Sequence, residues 1–362
     1  MAKQSQCVMI MAGGTGGHIY PALAVAKDLQ SQDVRTVWLG SRRGLENTIV
    51  PKHGIKLIRV FVSGLRGRGL LRWLFAPVVL LIAISQSVIA LLKERPGAVL
   101  GMGGFASGPG GVAAWLCRIP LIIHEQNARA GTTNKLLSRI ANQVFQAFPQ
   151  TFSGSATTVG NPVRQEICDL ACEPVRPYVA DSLNILVVGG SRGASYLNQK
   201  IPSVLAKIAN NNTFREIKIR HQCGDSDNEQ TYGAYQLAGC AAKVESFIDD
   251  MAAAYRWADV IICRAGAMTI SEIAAVGIAS ILIPFPYATD DHQTANAMFL
   301  VDGGAALLVP QGEEFEQRLA VALEKLIADG ERTAEMANKA RALAIYDAAQ
   351  KVSLRCRELI DV

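Results

Sequence analysis

Three glycine-rich loops are the residues of this chain best suited to holding a ligand. Gly13-Gly14-Thr15-Gly16-Gly17-His18 follows the apolar run Cys7–Ala12, and two further loops also follow apolar runs. These are Gly101-Met102-Gly103-Gly104-Phe105-Ala106-Ser107-Gly108 and Gly189-Gly190-Ser191-Arg192-Gly193-Ala194. Glycine lets a backbone turn sharply, and the N–H groups at the start of a following helix attract phosphate. None of the loops runs into Gly-Lys-Ser/Thr, which excludes a Walker-type NTPase. Each alone is equally a tight connection. Three of them at strand ends are more telling, because open α/β sheets bind ligands outside the carboxyl ends of their strands.

Polar clusters follow other apolar runs. His124-Glu125-Gln126-Asn127 follows Leu121-Ile122-Ile123, and Arg264-Ala265-Gly266-Ala267-Met268-Thr269-Ile270-Ser271-Glu272 follows Val260–Cys263. Asp290-Asp291-His292-Gln293, with Asn296, follows the break at Pro284-Phe285-Pro286. Amide, hydroxyl and carboxylate groups in such numbers suit a hydroxyl-rich ligand. Taken singly, Glu272 reads equally as a helix-dipole carboxylate and His292 as a surface residue. A dinucleotide enzyme is the competing reading. The first loop loosely matches G-x-G-x-x-G, but Leu39-Gly40-Ser41-Arg42-Arg43 stands where an NAD enzyme presents an acid. Arg42 and Arg43 would suit a 2′-phosphate, which makes an NADP-dependent dehydrogenase the alternative; it leaves the third loop unexplained.

The elements that would position these loops are short apolar runs alternating with helical patterns, the grammar of βαβ units and parallel sheets. Strands are expected at Cys7–Ala12, Thr36–Leu39, Leu57–Val60, Ala98–Leu100, Leu121–His124 and Gln143–Phe145. Helices are expected at Pro21–Gln30, Leu70–Lys93, Pro109–Leu116 and Thr132–Ser138. The pattern restarts with strands at Leu183–Val188, Ile217–His221, Val260–Cys263, Ile281–Ile283 and Ala306–Val309. With 362 residues, half of them hydrophobic, the chain suits two domains. Gly160-Asn161-Pro162-Val163-Arg164 marks the seam. The expected division is residues 1–163 and 164–340, with a C-terminal helix of about 341–362 returning to the first domain. Both domains are expected to be doubly wound and Rossmann-like, facing a cleft.

Composition narrows the class further. The net charge of +5 is mild and no Lys/Arg run is dense, so nucleic acid is not an expected partner. The eight cysteines are scattered and complete no zinc set; most sit in apolar runs as small hydrophobes. The N-terminus enters a strand without a signal-peptide core, and a reducing, cytoplasmic compartment is expected. Trp73–Leu92 is twenty residues without a charge, flanked by Arg66, Arg68 and Arg72 before and Lys93 and Arg95 after. That length could span a bilayer. Pro77, the Ser85-Gln86-Ser87 interruption and positive charge on both flanks favour a helix packed on its domain. Part of its apolar face, with Arg66, Arg68, Arg72, Trp73, Leu74 and Phe75, is expected to meet an anionic membrane surface.

Together GGTGGH, GMGGFASGPGG, HEQN, GNPVR, GGSRGA, CRAGAMTISE and DHQTANA, in this order, resemble the MurG family over essentially the whole chain. That family adds N-acetylglucosamine from UDP-N-acetylglucosamine to undecaprenyl-pyrophosphoryl-muramoyl-pentapeptide, at the cytoplasmic face of the bacterial inner membrane. The resemblance implies the two-Rossmann GT-B architecture, inversion at the anomeric carbon and no metal or other cofactor, together with cell-wall synthesis proteins as possible partners. For the donor it implies Ile248 at the uracil, Glu272 at the ribose, and Ser191 and Thr269 at the diphosphate. Ala267, Met268, His292 and Gln293 would meet the sugar, with Thr15, Gly16, Gly17, Asn127 and Arg164 reaching in from the first half. Relatives often carry Gln where His292 stands, and Tyr where Phe105 stands. Gly13, Gly14, Gly103 and Gly104 would cradle the acceptor's pyrophosphate. His18 is the expected general base, since imidazole ordinarily changes charge near neutral pH, and Glu125 is the reserve. A UDP-sugar 2-epimerase of the same architecture is the other alternative.

Overall fold

The computed structural model describes residues 6–62, 70–174, 182–190, 193–211 and 216–360. Arg66, Arg68 and Ser191 lie outside the described residues, as do the side chains of Arg72, Trp73, Leu74 and Phe75. The chain divides into two compact units, residues 1–164 with 345–362 and residues 165–344.

The first unit is built on strands β1 (Cys7–Met11), β2 (Arg35–Ser41), β3 (Lys56–Val60), β4 (Ala98–Gly101), β5 (Leu121–Glu125), β6 (Gln143–Gln146) and β7 (Thr157–Thr158). They form one sheet in the order β3-β2-β1-β4-β5-β6-β7, parallel throughout. β1 shows why its sequence is apolar without alternation. Val8 and Ile10 belong to one core, Cys7, Met9 and Met11 to another, so both faces are covered. The first face is closed by the Gly16–Ser31 helix and by Val352, Cys356 and Ile360 of the Ala348–Ile360 helix. The second is closed by Ala90 and Leu91 of the Leu70–Glu94 helix and by Ala113 and Ala114 of the Ser107–Leu116 helix.

The second unit repeats the scheme with β8 (Ser182–Val188), β9 (Glu216–Gln222), β10 (Lys243–Glu245), β11 (Val260–Cys263), β12 (Ala279–Leu282) and β13 (Leu307–Leu308). Their order is β10-β9-β8-β11-β12-β13, again all parallel. Strand order reverses beside the first strand of each sheet, between β1 and β4 and between β8 and β11. Doubly wound sheets bind ligands at such switch points. The three glycine loops follow β1, β4 and β8.

Two expected boundaries move for physical reasons. Pro21 lies inside the first helix, which begins at Gly16, so His18 sits in its first turn. β12 begins at Ala279, ahead of the expected Ile281, because left-handed Gly277 (φ 70°) ends the preceding helix abruptly and the chain turns straight into the sheet.

The Leu70–Glu94 helix is held along one side only. Ala83, Ser87, Ala90, Leu91 and Glu94 are buried, a spacing of three and four residues, while Val78, Leu80, Leu81, Ile82, Ile89 and Leu92 are exposed. Glu94 forms ion pairs with Arg35 and Lys56 at 3.0 and 2.6 Å, and Gln86 accepts from Phe61 N–H at 2.6 Å. Its Ala76–Glu94 stretch is long and apolar enough to cross a membrane by length and composition.

Candidate active site

In the first unit the loops after β1 and β4 are laid against each other. Met102 N–H donates to Met11 O at 2.8 Å, and Ser107 Oγ lies 2.9 Å from Met11 O and 2.7 Å from Gly103 O. Gly104 has φ 87°, and a Cβ there would run into the backbone of Gly13. Gly103 has φ 95°, and a Cβ there would stand 2.8 Å from His18 Nδ1. These two glycines make room for a neighbouring loop and an imidazole.

Glu46, which the sequence did not single out, closes the first loop from below. It begins the Glu46–Lys52 helix, is fully buried, and accepts from Gly14 N–H at 3.0 Å, Ser41 N–H at 3.0 Å and the Ser41 hydroxyl at 2.6 Å. A Cβ on Gly13 would lie 2.7 Å from its carboxyl oxygen. The residues expected to cradle a pyrophosphate, Gly13, Gly14, Gly103 and Gly104, are those of these two abutting loops, with the Gly14 N–H on Glu46 and Gly13 and Gly104 packed on each other. Thr15, Gly16 and Gly17 form the Ncap and first turn of the following helix.

His18 heads a chain of hydrogen bonds that runs into the core. His18 Nδ1 lies 2.9 Å from Gln126 Oε1, Gln126 Nε2 lies 3.2 Å from both His124 Nδ1 and His124 O, and His124 Nε2 lies 2.8 Å from Gly160 O. Burial pushes the His124 imidazole down to about 4, keeping it neutral. Glu125 is 2 % exposed. Its Oε1 accepts from the Asn127 N–H and side-chain amide at 3.0 and 3.1 Å, its Oε2 from Gly131 N–H and Asn134 Nδ2 at 3.0 and 2.8 Å. Both oxygens hold the loop after β5. Arg164 stacks over Tyr20, two residues beyond His18, with its guanidinium 5.4 Å from the ring centroid.

In the second unit amides hold the loop after β8, backed by one carboxyl group. Gln222 Nε2 donates to Gly190 O at 3.1 Å, and Gly193, at φ 72°, packs on Cys223 O. Below the loop, Asn198 Nδ2 donates to Cys223 O at 2.9 Å and to Asp227 Oδ2 at 2.8 Å, and Asn198 Oδ1 lies 3.1 Å from His221 Nε2. His221 Nδ1 meets the Tyr235 hydroxyl at 2.9 Å, and burial lowers this imidazole to about 3. Asp227 thereby commits the chain's Asp225-Ser226-Asp227 sequence to loop support.

The remaining candidates collect beyond β10, β11 and β12. Ala267, Met268 and Thr269 form the first turn of the Ala267–Val276 helix, which carries Glu272. Glu272 is 8 % exposed, and its Oε2 accepts from the Tyr255 hydroxyl at 2.9 Å. Ile248 is buried while Phe247 is half exposed. His292 opens the His292–Asp302 helix with Nδ1 2.7 Å from Thr289 O, and Gln293 Oε1 accepts from Phe285 N–H at 2.9 Å. Buried Asn296 donates to Ala265 O at 3.2 Å, tying that helix to the loop after β11. Arg264 is a clamp: its Nη1 reaches Ile283 O and Pro284 O at 3.1 Å and its Nη2 reaches Gln311 at 2.9 Å. Thus Ala267, Met268, Thr269, Glu272, His292 and Gln293 gather on one edge of the second unit, while Thr15, Gly16, Gly17, Asn127 and Arg164 belong to the first.

Two parallel α/β units with glycine loops at their switch points make a two-domain, doubly wound protein. Residues 8–146 match the glycosyltransferase family 28 N-terminal domain and residues 184–352 the glycosyltransferase family 28 C-terminal domain. The chain belongs to glycosyltransferase family 28. It is 50% identical over 354 residues to the UDP-N-acetylglucosamine--N-acetylmuramyl-(pentapeptide) pyrophosphoryl-undecaprenol N-acetylglucosamine transferase of Shewanella amazonensis, covering 97% of each chain. It is 52% identical to the protein of that name from Alkalilimnicola ehrlichii, covering 97% of this chain and 98% of the relative. The crystal structure of Acinetobacter baumannii MurG superposes with a TM-score of 0.81 at 41% identity, covering 97% of this chain and 99% of that one. A UDP-GlcNAc 2-epimerase from Neisseria meningitidis, at 14% identity and TM-score 0.67, shares the fold alone.

Proposed function

We propose that this chain transfers N-acetylglucosamine from UDP-N-acetylglucosamine to the 4-hydroxyl of lipid-linked muramoyl-pentapeptide, a step of peptidoglycan synthesis. The observation that carries this reading is identity near 50% over nearly the full chain with transferases named for that reaction. In this reading Ile248 meets the uracil, Glu272 the ribose hydroxyls, Thr269 with Ser191 the diphosphate, and Ala267 the sugar. His292 and Gln293 hold sugar hydroxyls through the atoms not engaged with Thr289 and Phe285. The acceptor's O4 attacks the anomeric carbon as the bond to UDP breaks, and configuration inverts. Charge growing on UDP is offset by the helix N-terminus and by Arg164, a helix dipole contributing about 0.3–2 kcal/mol. His18 takes the hydroxyl proton.

The assay is UDP release from UDP-N-acetylglucosamine. Release only when a muramoyl-pyrophosphoryl lipid is present supports transfer. Release without acceptor, or formation of the 2-epimer, would instead select the epimerase reading.

Membrane attachment belongs to the same proposal. The buried seam of the Leu70–Glu94 helix and its ion pairs through Glu94 fix it to the first unit, which suits lying on a bilayer better than crossing it. Its exposed residues, with Arg66, Arg68 and Arg72 nearby in sequence, fit an anionic surface at the cytoplasmic face. Each arginine contributes about 1 kcal/mol to such attraction, and salt weakens it. Replacing the three with Gln should abolish pelleting with anionic liposomes at low salt; equal pelleting of both proteins would end the idea.

A further inference from the structure

We infer that Gln126, backed by His124, is a positioning residue that fixes which nitrogen of His18 carries the proton, leaving Nε2 as the lone-pair nitrogen. The inference deepens the role of His18 proposed above and rests on it for its catalytic consequence.

The argument starts from two carbonyls that can only accept. Gly160 O lies 2.8 Å from His124 Nε2, so that nitrogen must bear the hydrogen. His124 is fully buried and held neutral, so its Nδ1 is an acceptor. The group facing Nδ1 at 3.2 Å must therefore be the amine end of Gln126. His124 O, 3.2 Å from the same Gln126 nitrogen, requires that orientation independently. The Gln126 backbone is pinned as well, its carbonyl accepting from Asn161 Nδ2 at 3.0 Å. Gln126 Oε1 then has one direction left, toward His18 Nδ1 at 2.9 Å, and an amide oxygen can only accept. His18 is protonated on Nδ1.

Neutral imidazole alone does not specify this tautomer; a hydrogen bond at the other nitrogen selects it. Among the described residues no group bonds Nε2. When acceptor O4 attacks, the O4–H bond breaks, the proton passes to His18 Nε2, the O4–C1 bond forms, and the C1–O bond electrons leave with UDP. The imidazolium keeps its Nδ1–H on Gln126 Oε1, whose partial charge stabilises it. Gly103 contributes by absence, since any side chain there would displace the ring.

The test is the nitrogen-15 spectrum of imidazole-labelled wild-type enzyme above neutral pH, with five histidines to assign through single variants. His18 with a protonated Nδ1 and an unprotonated Nε2 is expected; the opposite tautomer overturns the inference without any variant. Gln126→Met, which cannot accept from Nδ1, should release the tautomer and lower kcat by about ten- to a hundredfold with little change in the KM for UDP-N-acetylglucosamine. Gln126→Glu keeps an acceptor facing His18 and should recover part of that loss. Equal losses in both variants, with the His18 tautomer unchanged, would reduce Gln126 to a packing residue. If the tautomer is Nδ1–H but His18→Ala hardly slows transfer, the relay stands and the base role fails.

Discussion

The two units share one strand order yet hold their first glycine loops in opposite ways. Under the loop after β1 sits a buried carboxyl group, Glu46, accepting from Gly14 N–H. Under the loop after β8 sit amides with a carboxyl group behind them: Gln222 donates to Gly190 O, and Asn198 donates to Cys223 O and to Asp227 Oδ2. Each unit also buries one neutral histidine near its loop. In the first, His124 connects through Gln126 to the part-exposed His18; in the second, His221 ends on Asn198 and Tyr235 inside the core. Both loops run into a helix N-terminus, which favours an anion, so the two differ in what braces them from within their own unit. One core strand order, with a seventh strand added in the first sheet, thus carries two kinds of loop support.

The largest effect should come from cutting the exposed end of the first network. His18→Ala is expected to lower kcat by about 10²–10⁴-fold while UDP affinity stays near wild type, because the proposed base acts on the acceptor. Kinetics with a soluble acceptor and calorimetry with UDP check both halves. A loss below about tenfold would make His18 a binder only.

Glu46→Ala should come next. It leaves the buried N–H of Ser41 and the part-buried N–H of Gly14 without their partner, and a buried donor left unsatisfied costs about 1–3 kcal/mol. We expect the first unit to lose about 2–5 kcal/mol in urea unfolding, with the protection of amides in the second unit unchanged. Protection lost equally in both units would contradict the assignment of Glu46 to one loop.

Acid should weaken both units through their buried histidines. Native His124 and His221 are lowered from 6.5 to about 4 and about 3, so between these values the unfolded chain binds protons that the native chain does not. Stability is then full above 6.5 and lost as pH falls, by about 1.4 kcal/mol per pH unit for each histidine. Glu94 adds to this with the same sign, because the hydrogen bond from Lys56, then that from Arg35, holds its carboxyl below the ordinary range. Replacing His221 with Gln should flatten the acid slope of the second unit alone, followed by amide exchange at several pH values.

Much of this was legible in the sequence because parallel strands buried on both faces read as unbroken apolar runs. Cys7–Met11 and Val260–Cys263 are examples. The helix over Glu46–Lys52 was not legible: ENTIVPK has no apolar period and contains Pro51. Glu46 itself was not singled out, since its partner Gly14 lies thirty-two positions earlier. Gly13, Gly40 and Gly44, all crowded by that side chain, were the available signal. Arg264 carried no signal of its own: its role as a clamp rests on the carbonyls of Ile283 and Pro284, some twenty residues on. His124 and Gln126 were visible as a motif, but only the geometry orders them into a relay.

The smallest effect separates Glu272 from its support. Glu272→Ala should weaken UDP binding by about 1.5–3 kcal/mol, the usual loss for a hydrogen bond to a charged group. Tyr255→Phe removes a single hydroxyl that donates to Glu272 Oε2 at 2.9 Å, leaving the ring in place on the Met251–Trp257 helix. Both side chains are buried, so water does not simply replace the lost donor. The carboxylate keeps its charge and its reach toward ribose hydroxyls but loses part of what fixes its orientation. The expected cost is about 0.5–1.5 kcal/mol, two- to roughly tenfold in UDP affinity. If the hydroxyl acts on UDP through its bond to Glu272 Oε2, the loss should vanish when Glu272 is already Ala. Calorimetry on the four proteins of that cycle gives the answer. Additive losses would mean that Tyr255 acts on UDP by some route other than Glu272, and the ribose assignment of Glu272 would lose its structural support.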